Sequence, residues 1–585
     1  MSVGPRALLA LPLLFLAGLV VAPLVRLVWE GLVPGSGAWA ALSLAGGEPL
    51  TLWGVWQDPH LRFRLLWSLA QAGISTGLTL LLGLPVAWVL ARYRFAGREW
   101  ALRLLMLPFV VPTLVAALGV LALWGPSGVW SGALGLSLED SPALLLVGNL
   151  FFNLCLVVRA GVDALAQVSA SRLAAARTLG ATPWRAFWRV EWPAIRLPVA
   201  SALCLVFLYC FAGMGLALVL GGQRWATAEV EIYTLVAHEL RLADASVLAL
   251  WTLVLGGSVT AVYAVLANRL AHPRRADGVL PRPATRPHQR VVVVVALGVL
   301  GMVSVAPLVG TVGWALADVP ALWRVWTAPD TLAALWNTLR FSAMALAVAT
   351  VLGVCQGLAV FHWNQRPEIS RNGDFSDSKD SFIKKRQSRF FLFFLFDKLI
   401  ASRSGPPARL GVLVRASTLL PFVVSPVVVA FGLLLLYPGH TASLWLLVAA
   451  YALLAYPFVG QHVAHALDAM PPQWQQAART LGASPWRVFW RVTLPLMVPA
   501  LRRGMAFAAA TALGEFAVSL FLSRPEWTTL TTLIYQHLGR PGADNLHAAH
   551  ALSLLLMLLA LGVFLLLDAA GAATVPPRAS KGPHA

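Results

Sequence analysis

The chain has 585 residues, of which 58% are hydrophobic and only 12% charged, and its formal net charge is +19. Soluble domains carry about a quarter charged residues, and this length is too great for one of them, so the composition excludes a soluble globular protein and points to repeated membrane spans. The basic balance would suggest nucleic acid in a soluble chain; here it fits cytoplasmic loops beside anionic lipid and implies no nucleic-acid partner.

Apolar stretches long enough to cross a bilayer predict an all-α polytopic fold with twelve spans, near residues 7–29, 65–90, 101–124, 143–160, 197–221, 246–267, 291–316, 334–361, 410–437, 442–464, 500–523 and 548–570. The first has the outline of a secretory signal, with Arg6 before it and Ala38-Trp39-Ala40 after it. Its apolar run is too long for a signal core, and Arg26 sits late within it, so it reads as a retained helix.

Arginine placement orients the spans. The loop after the second span carries Arg92, Arg94, Arg98 and Arg103. The loop after the fourth carries Arg159, Arg172, Arg177, Arg185, Arg189 and Arg196, and the one after the sixth Arg269, Arg274, Arg275, Arg282, Arg286 and Arg290. The alternate loop at 125–142 has no Lys or Arg, and those at 222–245 and 317–335 have two and one. The positive-inside rule then puts both termini in the cytoplasm of a multi-pass inner-membrane protein.

The chain repeats itself. Residues 174–196 read AAARTLGATPWRAFWRVEWPAIR and residues 476–498 read QAARTLGASPWRVFWRVTLPLMV, identical at 15 of 23 positions with an offset of 302. Both loops follow the fourth span of a six-span half, so the repeat is parallel rather than inverted. The division is 1–267 for the first half, 268–290 for an Arg- and Pro-rich cytoplasmic linker, and 291–585 for the second half. One segment departs from the pattern: between about 364 and 405 lie four of the five lysines (Lys379, Lys384, Lys385, Lys398) and the run Phe390-Phe391-Leu392-Phe393-Phe394-Leu395-Phe396. It reads as a cytoplasmic insertion or an adventitious stretch, or else as an element lying on the membrane surface.

The repeated loops, 171–196 and 473–498, predict two short helices joined by a tight turn. Gly180 and Gly482 suit a C′ position with positive φ. Thr182 and Ser484 cap a second helix that has Pro183 or Pro485 at its first position. That helix carries Trp184, Phe187 and Trp188 beside Arg185 and Arg189, with Trp486 and Arg487 repeating it. Aromatic bodies with arginines suit a protein contact, though they also suit a lipid interface. Two near-identical copies point to two equivalent docking sites on a two-fold partner.

This loop resembles the signature of ABC importer permeases: Glu-Ala-Ala, three residues, Gly, and later a hydrophobic-Pro pair. The matching positions are Ala175, Ala176, Gly180 and Trp192-Pro193, then Ala477, Ala478, Gly482 and Leu494-Pro495. Both copies lack the acid, having Ala174 and Gln476 in its place, and leave Arg177 and Arg479 as alternative polar partners. The resemblance implies the type I permease fold, in which each loop docks in a groove of a cytoplasmic ATPase subunit. Its partners would be two ATPase copies, a periplasmic solute-binding protein and the bilayer, and its mechanism alternating access. Val55-Trp56-Gln57-Asp58, Arg94-Phe95, Gly97-Arg98, Glu191-Trp192-Pro193, Leu220-Gly221-Gly222 and Glu231-Ile232-Tyr233 are most similar to the branch that carries thiamine and thiamine pyrophosphate. Ferric-iron permeases share the fused layout and are the nearest competitor.

Nothing in the sequence supports catalysis or a cofactor. No Gly-Lys occurs, so there is no P-loop, and neither His-Glu-x-x-His nor Cys-x-x-Cys is present. His238, His440 and His537 read as ordinary loop residues, and Cys155, Cys204, Cys210 and Cys355 as buried hydrophobes. An ion-coupled transporter would need charges within its spans, and Glu515 is the main one. Its counterpart by the offset of 302 is Gly213. Glu515 is either a structural hydrogen-bonding group or a translocation-path residue for a cationic substrate.

Overall fold

The computed structural model describes residues 5–33, 50–270, 278–364, 420–421, 424–441, 443–522 and 524–572. Most of them are helical. Ten helices, from Leu9–Leu32 to Ala543–Asp568, are long and apolar enough to cross a membrane, and Pro426–Leu436 is a shorter apolar one. The one strand pairing among the described residues is two residues long, Tyr93 and Arg94 running parallel to Arg282 and Pro283. It ties the linker back onto the end of the Pro59–Arg92 helix. Residues 365–405 of the anomalous segment lie outside the described residues.

Three predicted spans are not continuous. The 101–124 span is Arg98–Leu104, Leu107–Val110 and Thr113–Trp124, broken at Val111 and Pro112. The 197–221 span is Trp192–Phe211 and Met214–Leu220, and the 500–523 span is Leu494–Leu513 and Ala517–Leu522. Pro112 has no N–H to continue a helix. Hydropathy averages over such breaks because the residues in them are apolar or small. Part of the 410–437 span falls outside the described residues, and Pro426–Leu436 is its described helix. The stretch at 222–245, expected as an outside loop, contains the buried helix Ala228–Ala237.

The halves interlock through their first spans. Each first span has a wide turn, Ala17–Val21 or Gly301–Val305, just ahead of an Ala-Pro step at 22–23 or 306–307. A proline inside a helix clashes with the carbonyl one turn back, and a π-turn absorbs the clash. Each of these prolines then packs across onto the other half. A Cβ on Gly432 would lie 3.0 Å from Pro23, and one on Gly119 only 2.4 Å from the Pro307 carbonyl oxygen. Thr311 donates to the Val115 carbonyl at 3.4 Å, and the Tyr437 hydroxyl to the Gly18 carbonyl at 3.0 Å. The first span is thus a packed element of the bundle, with Arg26 paired to the buried Glu30 at 2.7 Å.

Candidate functional site

The helix breaks meet at the centre of the bundle, around a cavity of about 310 Å³. Both halves supply matching walls: 109–113 and 421–426 in part, 208–216 and 510–517 in part, with Phe152 of the first half corresponding to Leu454 of the second. Broken helices at membrane depth are tolerated where the freed backbone lines a cavity. The walls differ in chemistry. On the first half, Asn149 donates to Gln71 at 2.8 Å and to Ser75 at 3.1 Å. Asn153 donates to the Asn149 carbonyl at 2.8 Å, while its own Oδ1 has no partner among the described residues. The second half contributes Leu454 and Phe458 at this depth.

Toward the end of the bundle that carries the repeated loops, Phe109 meets Tyr209, Phe458 and Phe507 edge-on, with centroids 6.1–6.4 Å apart. Away from that end stands Glu515, on the cavity wall in the break between Leu513 and Ala517. Its Oε1 accepts from the Val518 N–H at 3.0 Å, and the Thr531 hydroxyl donates to its carbonyl at 3.1 Å. The carboxylate is therefore held by its own segment rather than by a side chain of a neighbouring helix. No Lys, Arg or His lines the cavity among the described residues.

The repeated loops form a second site, built in both copies with the same turn and cap. Helices Ala170–Thr178 and Pro472–Thr480 both end in a Schellman turn. The Gly180 N–H bonds to the Arg177 carbonyl and the Ala181 N–H to that of Ala176, both at 3.0 Å. Gly482 and Ala483 make the same bonds to Arg479 and Ala478, also at 3.0 Å. The glycines take φ of +77° and +79°, which side chains rarely adopt. The Thr182 hydroxyl then accepts from the Arg185 N–H at 3.3 Å, and that of Ser484 from Arg487 at 3.4 Å, starting the helices at Pro183 and Pro485. Trp184 is 70% exposed and Trp486 67%. Ala175, Arg177, Arg185, Ala477, Arg479 and Arg487 are exposed beside them, and Ala176 and Ala478 are half-buried under the turn.

The loops differ in how they are anchored. Glu191 is buried and pairs with Arg92 at 2.6 Å, and it accepts from Trp88 Nε1 at 2.9 Å. At the matching position Thr493 accepts from Gln475 at 3.4 Å. Arg92, one of the arginines that the sequence places in the loop after the second span, is thus an internal ion-pair partner. Removing one partner of a buried pair strands the other charge at a cost of about 3–5 kcal/mol. Glu191→Ala is accordingly expected to lower the thermal midpoint of the purified protein markedly, and Glu191→Leu combined with Arg92→Met to recover most of it. Equal midpoints for Glu191→Ala and wild type would show that the pair does not anchor the loop.

Sequence reading missed the cavity-facing breaks and the burial of Glu191, Glu229 and Glu231. Glu229 and Glu231 lie in the stretch taken as a loop, although both face threonine or leucine in the repeat, at Thr531 and Leu533. That local departure from the repeat was the available signal. Among the described residues no group of three His, Cys, Asp or Glu side chains is arranged to hold a metal.

The chain matches the family described as binding-protein-dependent transport system inner membrane component over residues 81–272 and 399–575. It is 28% identical over 539 residues to the thiamine transport system permease protein of Escherichia coli (strain K12), covering 88% of this chain and 91% of that one. It is 30% identical over 540 residues to the protein of the same description from Brucella abortus (strain 2308), covering 87% and 88%. A sulfate transport system permease protein from Synechocystis is 32% identical over 169 residues, 28% of this chain and 61% of that one.

Proposed function

We propose, on the premise that this chain belongs to the family of binding-protein-dependent transport system inner membrane components, that it carries thiamine or its phosphate ester inward across the inner membrane. It is a multi-pass permease subunit, served by a separate ATPase and by a periplasmic binding protein. The thiamine assignment is supported by relatives of that description along nearly nine-tenths of the chain. The observation that carries it into the molecule is the central cavity, with one acid at one end, aromatic rings at the other and no basic lining residue among the described residues. An organic cation is stabilised by aromatic faces and by a carboxylate where water is scarce.

The proposed working cycle uses both sites. Two ATPase copies would dock on the twin Trp- and Arg-bearing loops, and their closure on ATP would move the loops together. Each loop is continuous with the helix that ends at a cavity break, Trp192–Phe211 or Leu494–Leu513. Loop movement would thereby alternate access to the cavity. In this reading both termini and the loops are cytoplasmic, Glu515 lies on the periplasmic side of the aromatic rings, and residues 1–267 and 291–585 are the two permease halves.

The test is uptake of labelled thiamine and of ferric ion in a strain lacking this gene, with and without the gene restored. Restored thiamine uptake with no effect on iron is expected. Restored iron uptake alone would replace the substrate.

A further inference from the structure

Behind the cavity wall lies a second carboxylate. Glu229, in the first turn of Ala228–Ala237, is only 1% exposed. The Ser425 hydroxyl donates to its Oε2, and its Oε1 has no hydrogen-bond partner among the described residues. Such an atom is costly to bury unless something completes it. Glu229 borders a small side pocket that shares Leu208, Ala212 and Ser425 with the wall of the main cavity. Ser425 therefore touches both the carboxylate and the cavity, and it comes from the other half of the chain.

The repeat gives this placement a logic. Offset by 302, Gly213 corresponds to Glu515 and Glu229 to Thr531. In the second half these two positions are in contact, through the Thr531 hydroxyl and the Glu515 carbonyl. In the first half Gly213 lines the main cavity, and its neighbour Ala212 borders the Glu229 pocket. Each half thus carries one acid at this pair of positions, in the break for the second half and just behind it for the first. Neither acid has a basic partner among the residues lining the two spaces.

We infer that Glu229, reached through Ser425, is a second substrate-binding carboxylate of the path, so that an organic cation crossing the cavity is bordered by one acid from each half. The inference rests on the cavity being the translocation path. Two uncompensated acids select for positive charge, and the unpartnered Oε1 can accept a hydrogen bond from an amino group of the cation or from a water molecule carried with it.

The experiment uses the whole transporter, this chain with its ATPase and binding protein, reconstituted in liposomes and supplied with labelled thiamine. Glu229→Gln keeps the shape and the Ser425 contact but removes the charge. It is expected to reduce initial uptake at least tenfold at wild-type levels of assembled complex, with Glu229→Asp retaining more activity than Glu229→Gln. Ser425→Ala leaves the acid in place and is expected to reduce uptake several-fold, which covers the case of a Gln variant that does not assemble. Unchanged uptake in Glu229→Gln, or in Ser425→Ala where the Gln variant fails to assemble, overturns the inference and leaves the thiamine reading standing. If the wild type carries no thiamine, that reading falls, and binding of N-methylpyridinium to the purified complexes decides the cation site. Tenfold weaker binding in Glu229→Gln supports it, and equal binding, or none to either protein, overturns it.

Discussion

Replacing both Gly180 and Gly482 with Asp is expected to abolish coupled uptake while leaving the transmembrane bundle folded. A Cβ at either position meets nothing within 4 Å, so no clash propagates inward. The direct backbone cost is that of a side chain at φ near +77° or +79°, about 1–2 kcal/mol per residue. The larger effect is the charge. Each Asp would stand on a surface of exposed Leu179, Trp184 and Arg185, or of Leu481, Trp486 and Arg487. Aromatic and arginine anchors of this kind dominate contact energies, at 2 kcal/mol or more each. An acid set among them would pair with the arginines and oppose the seating of the aromatic rings.

Co-purification of the ATPase with the double variant should fall at least tenfold, or ATP should be hydrolysed without uptake. The Gly180→Ala/Gly482→Ala double variant separates the two causes, because it carries the backbone cost without the charge and should be affected much less. Normal coupled uptake in the Asp double variant would remove the loops from the ATPase interface.

These loops were the part of the molecule most legible in the sequence, and the reason is physical. A Schellman turn followed by a capped, proline-initiated helix is fixed by residues within a dozen positions of one another, and it occurs twice. The helical class was equally plain, because membrane spans announce themselves by composition alone. The cavity was not legible. Its walls are brought together from segments far apart in the chain, such as Pro112, Ser425 and Glu515. The breaks that expose them are written in one or two residues inside apolar runs. Nor could hydropathy show that Pro23 packs on Gly432 while Pro307 packs on Gly119. The repeat divides the sequence into halves, whereas the packing exchanges their first spans. Arg92 shows the opposite error: a charge assigned to a loop by its position in the chain is buried, because Glu191 arrives from a distant segment to neutralise it.

Glu515→Gln is expected to reduce thiamine uptake tenfold or more without loss of protein from the membrane. An acid at bilayer depth costs about 2.5–3.5 kcal/mol on insertion scales unless it faces a cavity or a partner, and Glu515 faces the cavity. Its structural task is local: Oε1 accepts from the Val518 N–H, at the start of Ala517–Leu522, and the Phe516 and Ala517 N–H groups of the same turn also face the carboxylate. A glutamine side-chain oxygen accepts the same bond, so the substitution preserves the cap and the volume and removes only the charge. The first half builds the same break with Gly213, which shows that the scaffold does not require an acid there. Loss of uptake at normal expression and normal ATPase assembly would therefore report an interaction with the substrate. The fall should appear chiefly for cationic substrates, since a neutral solute gains little from the carboxylate. Unchanged KM and maximal rate for thiamine in Glu515→Gln would reduce Glu515 to a helix cap, and would leave Glu229 and the aromatic rings around Phe109 to recognise the cation.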